Sequence, residues 1–191
     1  MEDRVQEAMA AVPRAPFLPS PQRHLAHIDA ALPIGWGQTN SQPYTVATML
    51  RLLDVQPGHR VLDLGSGSGW TTALLAHLVG PGGRVLGIER RVELIDPARQ
   101  AVREVIGPAP QVSIRQAAAC VLGAPGDGPF DRILVSAQAY TLPRALVEQL
   151  ARGGVMVIPV ATVMRRLERR PEGLQDTAHG SFRFVPLIED R

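Results

Sequence analysis

The 191-residue sequence contains no lysine and only one cysteine, and only 4% of its residues are aromatic. Because all 20 of its basic Lys+Arg residues are arginine, catalysis through a lysine Schiff base is excluded. The single cysteine, Cys120, excludes an intramolecular disulfide and a metal cage of thiolates. No apolar run reaches the ~20 residues that span a bilayer, and the first residues do not resemble a signal peptide. We therefore expect a cytoplasmic protein that binds no membrane and no metal.

The sequence also has little excess of one charge over the other. The formal net charge is +2, and the high pI of about 9.3 reflects the pKa of arginine more than a large basic excess. No block of like charges and no stripe of alternating basic and aromatic residues is present. Nucleic acid is therefore not an expected partner.

The most informative stretch is residues 61–70, in which an apolar run ends in the sequence Gly65-Ser66-Gly67-Ser68-Gly69. This pattern predicts a buried strand, a tight turn and the start of a helix, with backbone that a ligand can approach closely. The third glycine of a dinucleotide fingerprint would stand one position later, at Trp70. Asp63, at the end of the strand, can accept hydrogen bonds at the floor of a pocket. The alternative is a turn that only connects a strand to a helix.

A second acidic residue supports a ligand site. Glu89 lies 20 positions after Gly69, at the end of a second predicted strand, residues 84–88. A carboxylate at the tip of the strand next to a glycine turn is placed to accept hydrogen bonds from the two ribose hydroxyls of an adenosine cofactor. The alternative is a solvated charge at a strand end.

Strands and helices alternate along most of the chain, which predicts an α/β, doubly wound, mostly parallel sheet. Further strands are predicted over residues 112–116, 130–136 and 155–160, and helices over 2–12, 44–53 and 143–150. A helix is also expected after Glu89, and Asp96 before Pro97 is a candidate N-cap for its regular part. Residues 163–169 and 181–187 are predicted to form an antiparallel C-terminal strand pair.

Residues 32–43 form a polar loop with several glycines and prolines, directly before the predicted helix 44–53. Such a loop at a helix start can bind an anion, or it can serve only as an N-cap. Together with the features above, it makes the chain resemble the protein-L-isoaspartate O-methyltransferase family. The matching stretches are Val12-Pro13-Arg14, Phe17-Leu18-Pro19 and residues 32–49, 61–69, 87–90, 129–137, 153–160 and 184–187.

The resemblance implies a Rossmann-like methyltransferase fold with N-terminal helices and S-adenosyl-L-methionine as cofactor. It implies one domain over residues 1–191, in which 1–58 carry the helices and the substrate loop and 59–191 the cofactor-binding sheet. The substrate implied is a protein or peptide with an isoaspartyl or aspartyl carboxylate, and the expected assembly is a monomer or weak homodimer. Ser41 takes the catalytic role of contacting that carboxylate. The cofactor-binding residues implied are Thr39, Ser41, Gln42, Pro43, Asp63, Gly65, Ser66, Gly67, Gly69, Glu89, Arg90 and Ala119.

One of the departures from the family pattern lies after the third predicted strand. Where the family carries Gly-Asp-Gly, with the acid on the adenine amino group, this chain has Ala118-Ala119-Cys120. Ala119 then stands in the place of the acid, and the adenine amino group is left to backbone, water or Asp127. This departure suggests one alternative, a cofactor-binding protein with little turnover. A second alternative keeps the reaction and changes the substrate to a dedicated peptide or a small carboxylic acid.

Overall fold

The fold is built from five α-helices and nine β-strands within residues 3–188, the part of the chain that the computed structural model describes. In chain order these elements are α1 (Arg4–Ala11), β1 (Leu32–Gly35), β2 (Gln38–Asn40), α2 (Pro43–Leu53), β3 (Arg60–Leu64), α3 (Trp70–Val79), β4 (Arg84–Glu89), α4 (Val92–Ile106), β5 (Val112–Gln116), β6 (Phe130–Val135), α5 (Arg144–Glu148), β7 (Leu150–Val160), β8 (Val163–Arg170) and β9 (Gly173–Ser181). Short 3₁₀ turns cover Ala15–Phe17, Ser20–Leu25 and Pro125–Asp127.

Seven strands form one sheet in the order β5-β4-β3-β6-β7-β8-β9. The first five strands in this order are parallel, and β8 and β9 are added antiparallel. Chain order reverses between β3 and β6, because the chain winds outward from β3 in one direction and returns to the other side of it. In an open parallel sheet such a reversal opens a crevice at the carboxyl ends of the strands.

The central strands are buried because helices cover both faces of the sheet. All but one side chain of β3 is buried, and the helix that follows it, α3, is apolar nearly all round and buried along most of its length. The α3 helix packs against α1 on one side and α4 on the other. A helix that is apolar on every side is buried in the interior of a protein. Because α3 is held in the core, the glycine turn that precedes it is held in place as well. Within residues 3–188, no helix has the length and apolar character to span a membrane.

The helix after Glu89 differs from the prediction. It begins at Val92, so that Pro97 lies inside it, and Asp96 is not its N-cap but binds Arg99 at 2.9 Å. Pro97 removes only the bond from its own nitrogen, close to the start of the helix. The buried side chains of Leu94 and Ile95 hold the first turn on the core.

The C-terminal strand pair is present, but its second strand was predicted at the wrong place. The partner of β8 is β9, Gly173–Ser181, and the predicted strand 181–187 lies beyond it. The β9 sequence carries no alternating apolar pattern because it is an edge strand with both faces largely exposed. Residues 182–188 instead return to the carboxyl end of the sheet, where Gln138 and Pro186 form a bridge.

Residues 32–43 were predicted as a loop, and the structure forms a small hairpin there. Strands β1 and β2 pair antiparallel, with Leu32 opposite Asn40. The turn between them places Trp36 and Gly37 at positive φ. We call residues 28–41 the hairpin wall, because residues 37–41 of this segment line one side of the cavity described next.

Candidate active site

A cavity of about 460 Å³ lies at the carboxyl ends of the central strands. This volume is in the range of small-molecule sites. Seven segments line it: residues 37–41 of the hairpin wall, the glycine turn after β3 with the start of α3, the end of β4 with Arg90 and Arg91, the loop after β5, residues 136–137 after β6, residues 143–145 at the start of α5, and residues 185–188. The cavity therefore brings together the glycine turn and the polar loop that the sequence singled out separately.

The glycine turn is folded back onto the end of β4. The backbone N–H groups of Gly65 and Ser66 both donate to the carbonyl of Ile88, at 2.8 and 3.1 Å. Gly65 and Gly67 have φ of +80° and +54° and line the cavity, so the bare backbone faces the space a ligand would fill. Gly69 does not line it. Its φ is +89°, and an added Cβ would lie 3.2 Å from the carbonyl of Ala98, so Gly69 permits close packing of α3 on α4.

Glu89 joins this turn to β4. One oxygen of its buried carboxylate accepts from the N–H of Gly67 at 2.7 Å, and the other accepts from the N–H of Arg91 at 2.8 Å. Each carboxylate oxygen keeps a further lone pair. Among residues 3–188, Glu89 is the only acidic side chain that lines the cavity. It can therefore accept two hydroxyl groups of a ligand.

Asp63 lies beneath the cavity and does not line it. Its fully buried carboxylate accepts from the hydroxyls of Thr71 and Thr72 at 2.8 and 2.6 Å, which ties β3 to the first turn of α3. Burial is the main cause that raises the pKa of Asp63 to about 6, and the two threonine hydroxyls partly oppose the shift while the charge of Glu89 adds to it. The contacts of Asp63 support the geometry of the turn.

The hairpin wall carries Thr39 and Ser41 to the cavity. Gln42 and Pro43, which follow, are outside its lining. The side-chain amide of Gln42 donates to Asp29 at 2.9 Å, and Pro43 is the first residue of α2. These two residues therefore start the helix and lie next to the cavity wall.

The loop after β5 offers an apolar surface. Ala118 and Cys120 line the cavity together with Val121 and Leu122, whereas Ala119 is exposed and lies outside the lining. Asp127, the nearby acid in sequence, pairs with Arg115 at 2.5 Å and faces a second cavity. Within residues 3–188, this loop therefore places no carboxylate, including that of Asp127, in the cavity lining where an adenine would contact the loop.

Sequence reasoning missed the residues that hold the hairpin wall in place. Arg14 is only 5% exposed and donates five hydrogen bonds to that wall. Asn40 connects the wall to Ser68 of the glycine turn at 3.1 Å. The one available signal was the stretch Val12-Pro13-Arg14, which carried part of the family resemblance without a role.

Comparison with known proteins identifies the family. The family model described as protein-L-isoaspartate(D-aspartate) O-methyltransferase matches residues 1–191. The chain belongs to this family. A protein-L-isoaspartate O-methyltransferase of Aeropyrum pernix is 47% identical over 97% of this chain and 72% of its own length. That of Methanopyrus kandleri is 46% identical over 97% of this chain and 84% of its own.

A solved structure agrees with this assignment. The chain superposes with a TM-score of 0.86 on a Plasmodium falciparum protein described as an isoaspartate O-methyltransferase, over 98% of this chain and 91% of that one. The two are 28% identical, and that protein was solved in complex with S-adenosyl-L-homocysteine. The predicted family and the predicted fold class are confirmed.

Proposed function

We propose that the chain methylates the carboxylate of L-isoaspartyl residues in proteins and peptides, with S-adenosyl-L-methionine as cofactor. The observation that carries this proposal is a single cavity walled on one side by the glycine turn with Glu89 and on the other by Ser41. Membership of the isoaspartate methyltransferase family over residues 1–191 supports both the reaction and the cofactor.

The residues present fit the cofactor. Glu89 would hold the two ribose hydroxyls, since both of its oxygens are anchored by backbone and still have acceptor capacity. The hydroxyl of Ser66 is buried without a hydrogen-bond partner in the described chain, in a residue that lines the cavity. A buried polar atom of this kind needs a partner, which a polar ligand supplies. When bound, S-adenosyl-L-methionine supplies a methyl group on a positively charged sulfonium.

Ser41 is the residue we assign to the substrate. Its hydroxyl has no protein partner within residues 3–188, and it lines the cavity from the hairpin wall. Donation to one oxygen of the substrate carboxylate leaves the other oxygen free to attack. Because a carboxylate with a pKa of ~3.9 is ionised at neutral pH, no general base is required. Orientation and exclusion of water then supply most of the rate enhancement.

The apolar loop after β5 favours recognition of the adenine by shape and backbone. Ala118 and Cys120 line the cavity where the family pattern has an acid nearby, and Asp127 is already engaged by Arg115. A cofactor held in this way is still held at its ribose by Glu89. We therefore expect turnover, with the contact at Glu89 carrying much of the affinity.

A methyl-transfer assay tests the proposal. Radiolabelled S-adenosyl-L-methionine is incubated with a short peptide that contains one L-isoaspartyl residue, and the same peptide with a normal aspartyl residue is the control. We expect base-labile methyl ester on the isoaspartyl peptide and little on its isomer. Binding of S-adenosyl-L-homocysteine without transfer to either peptide would contradict the proposal and identify a binding protein. Transfer to a small carboxylic acid alone would change the substrate class.

A cytoplasmic location, a monomeric or weakly dimeric state and the division of the chain at residue 58 stay predictions from the sequence. Size-exclusion chromatography with light scattering tests the second of these.

A further inference from the structure

Arg14 is a buried charge with an unusual set of partners. Its guanidinium is 5% exposed and donates only to neutral oxygens, and the carboxylate of Asp29 acts on it from further away. Burial lowers the pKa of Arg14, and Asp29 partly opposes that shift. A buried cation that no carboxylate binds directly depends on several well-aligned acceptors. Its position is therefore set by the chain segments that supply them.

These acceptors come from the two ends of the hairpin wall. On the incoming side, Arg14 donates to the carbonyls of Ile28 at 3.0 Å and Ala30 at 2.8 Å. On the outgoing side, it donates to the carbonyls of Asn40 and Ser41, both at 3.0 Å. One planar group thus closes the base of the hairpin, and one of its bonds is to the backbone of Ser41 itself.

A second set of contacts connects this base to the glycine turn. The Arg14 Nε donates to the side-chain oxygen of Asn40 at 2.7 Å, and the Asn40 amide nitrogen donates to the hydroxyl of Ser68 at 3.1 Å. The Arg14 guanidinium lies 5.5 Å from the centroid of the Trp70 ring, on the first residue of α3. The indole of Trp70 in turn donates to the carbonyl of Val12 at 3.1 Å.

We propose that Arg14 and Asn40 are positioning residues for methyl transfer, which fix the distance between Ser41 and the glycine turn. This inference rests on the proposed function of the cavity. Arg14 does not line the cavity, and Asn40, which does line it, has a protein partner at both its Oδ1 and its Nδ2 atom. They act through Ser41, whose backbone they hold, and through Ser68, which they connect to it. An error of about 1 Å between reacting groups costs roughly 100-fold in rate, so this link sets turnover.

Three variants separate positioning from folding. Asn40→Leu has nearly the same shape and removes the bonds to both Arg14 and Ser68. Asn40→Asp keeps an acceptor for Arg14 and a second oxygen to which the Ser68 hydroxyl can donate. Arg14→Lys keeps the charge, but a single ammonium with three donors cannot reach five acceptors. The matched control is Arg23→Lys, since Arg23 is exposed and donates one bond within the same N-terminal segment, to Leu18.

We expect Asn40→Leu and Arg14→Lys to lower kcat/KM on the isoaspartyl peptide ~10-fold or more, with the affinity for S-adenosyl-L-homocysteine changed less than ~3-fold. Asn40→Asp should recover much of the turnover lost in Asn40→Leu, and Arg23→Lys should behave as the unaltered chain. The assay is run well below each melting temperature. Unaltered turnover per folded molecule in Asn40→Leu overturns the inference, as does equal loss in Asn40→Leu and Asn40→Asp.

Hydrogen exchange gives a readout that needs no substrate. In the complex with S-adenosyl-L-homocysteine, backbone amides of residues 28–42 should exchange ~10-fold faster in Asn40→Leu than in the unaltered chain. If the unaltered chain methylates no isoaspartyl peptide, the proposed function fails, and faster exchange in Asn40→Leu still supports the link. If exchange is unchanged, the link itself is wrong, whatever the activity. If Arg14→Lys does not fold, the comparison of Asn40→Leu with Asn40→Asp tests the inference alone.

Discussion

The glycine turn and the hairpin wall line one cavity, but different contacts hold them. The turn is fixed by its neighbours in the sheet: Gly65 and Ser66 bond to Ile88, and Gly67 bonds to Glu89 on the adjacent strand. The hairpin wall has only one short pair of strands of its own, and a residue from outside it, Arg14, closes its base. The turn is fixed by bonds to the adjacent strand, whereas the hairpin wall is fixed by the Arg14 side chain, the Asn40–Ser68 bond and the packing of Leu32 and Ile34. A single substitution at Arg14 or Asn40 can therefore loosen it.

This difference predicts which property changes when the glycine turn or the hairpin wall is mutated. Changes in the glycine turn should cost stability or cofactor affinity, and changes in the hairpin wall should cost turnover while the cofactor still binds. Four experiments on individual residues test the contrast.

The largest effect is expected at Gly69. Gly69→Ala forces a side chain into positive φ and places its Cβ 3.1 Å from the Val102 side chain and 3.2 Å from the Ala98 carbonyl. We expect a loss of about 3 kcal/mol in the free energy of unfolding, measured by urea denaturation. Gly58→Ala is the matched control, because its φ is +85° with open space around the added atom. It should lose only about 1 kcal/mol. Equal losses would show that α3 and α4 adjust to the added methyl.

Glu89→Ala should come next, and its effect should fall on cofactor affinity. The change removes the acceptors that we propose for the ribose and leaves the N–H of Gly67 without its partner. We expect about 2 kcal/mol, or ~30-fold weaker binding of S-adenosyl-L-homocysteine by calorimetry. The exposed Glu93→Ala removes the same charge four residues later and should bind as the unaltered chain. Unchanged affinity in Glu89→Ala would remove Glu89 from the site.

Ser41→Ala tests the hairpin wall at the residue that we assign to the substrate. It should lower kcat/KM by ~10-fold, about 1.4 kcal/mol, because one oxygen of the carboxylate loses its orientation. The melting temperature and the affinity for S-adenosyl-L-homocysteine should stay nearly unchanged. Ser113→Ala, an exposed serine on β5, is the control. A large fall in melting temperature would instead indicate that Ser41 serves mainly to start α2.

The smallest effect concerns the pH dependence of stability at Asp63. A carboxyl whose pKa rises from 3.8 to about 6 on folding contributes stability that is fully present below pH 3.8 and lost as pH rises through about 6. Asp63→Asn removes this dependence, so its stability relative to the unaltered chain should be greater at about pH 8 than at about pH 5, by roughly 1–1.5 kcal/mol. Asp96→Asn, at an exposed carboxylate, is the control. A difference that does not change with pH would refute the shifted pKa.

Much of the sheet and half of the cavity could be predicted from sequence because their signals are local. The pattern from Val61 to Gly69 is sufficient to predict the strand, the turn and the start of the helix, and Glu89 lies at the end of the next strand. The position of the hairpin wall depends on contacts between Arg14 and residues up to 27 positions away, which no local pattern reveals. The same holds for β9, which is paired on one side only and exposed on both faces, so that no periodicity marks it.

The contact between Arg14 and the Trp70 ring also allows the position of the hairpin wall to be followed by tryptophan fluorescence. The chain has two tryptophans, and they lie on the two structures that Arg14 joins. Trp36 is 57% exposed at the tip of the hairpin, and Trp70 is 3% exposed at the start of α3. Iodide should quench the emission of Trp36 and leave the blue-shifted emission of Trp70. If the hairpin wall moves away together with Arg14, the Trp70 ring loses its contact with the guanidinium, and the protected emission should change, so movement of this wall can be followed by fluorescence in the unlabelled protein.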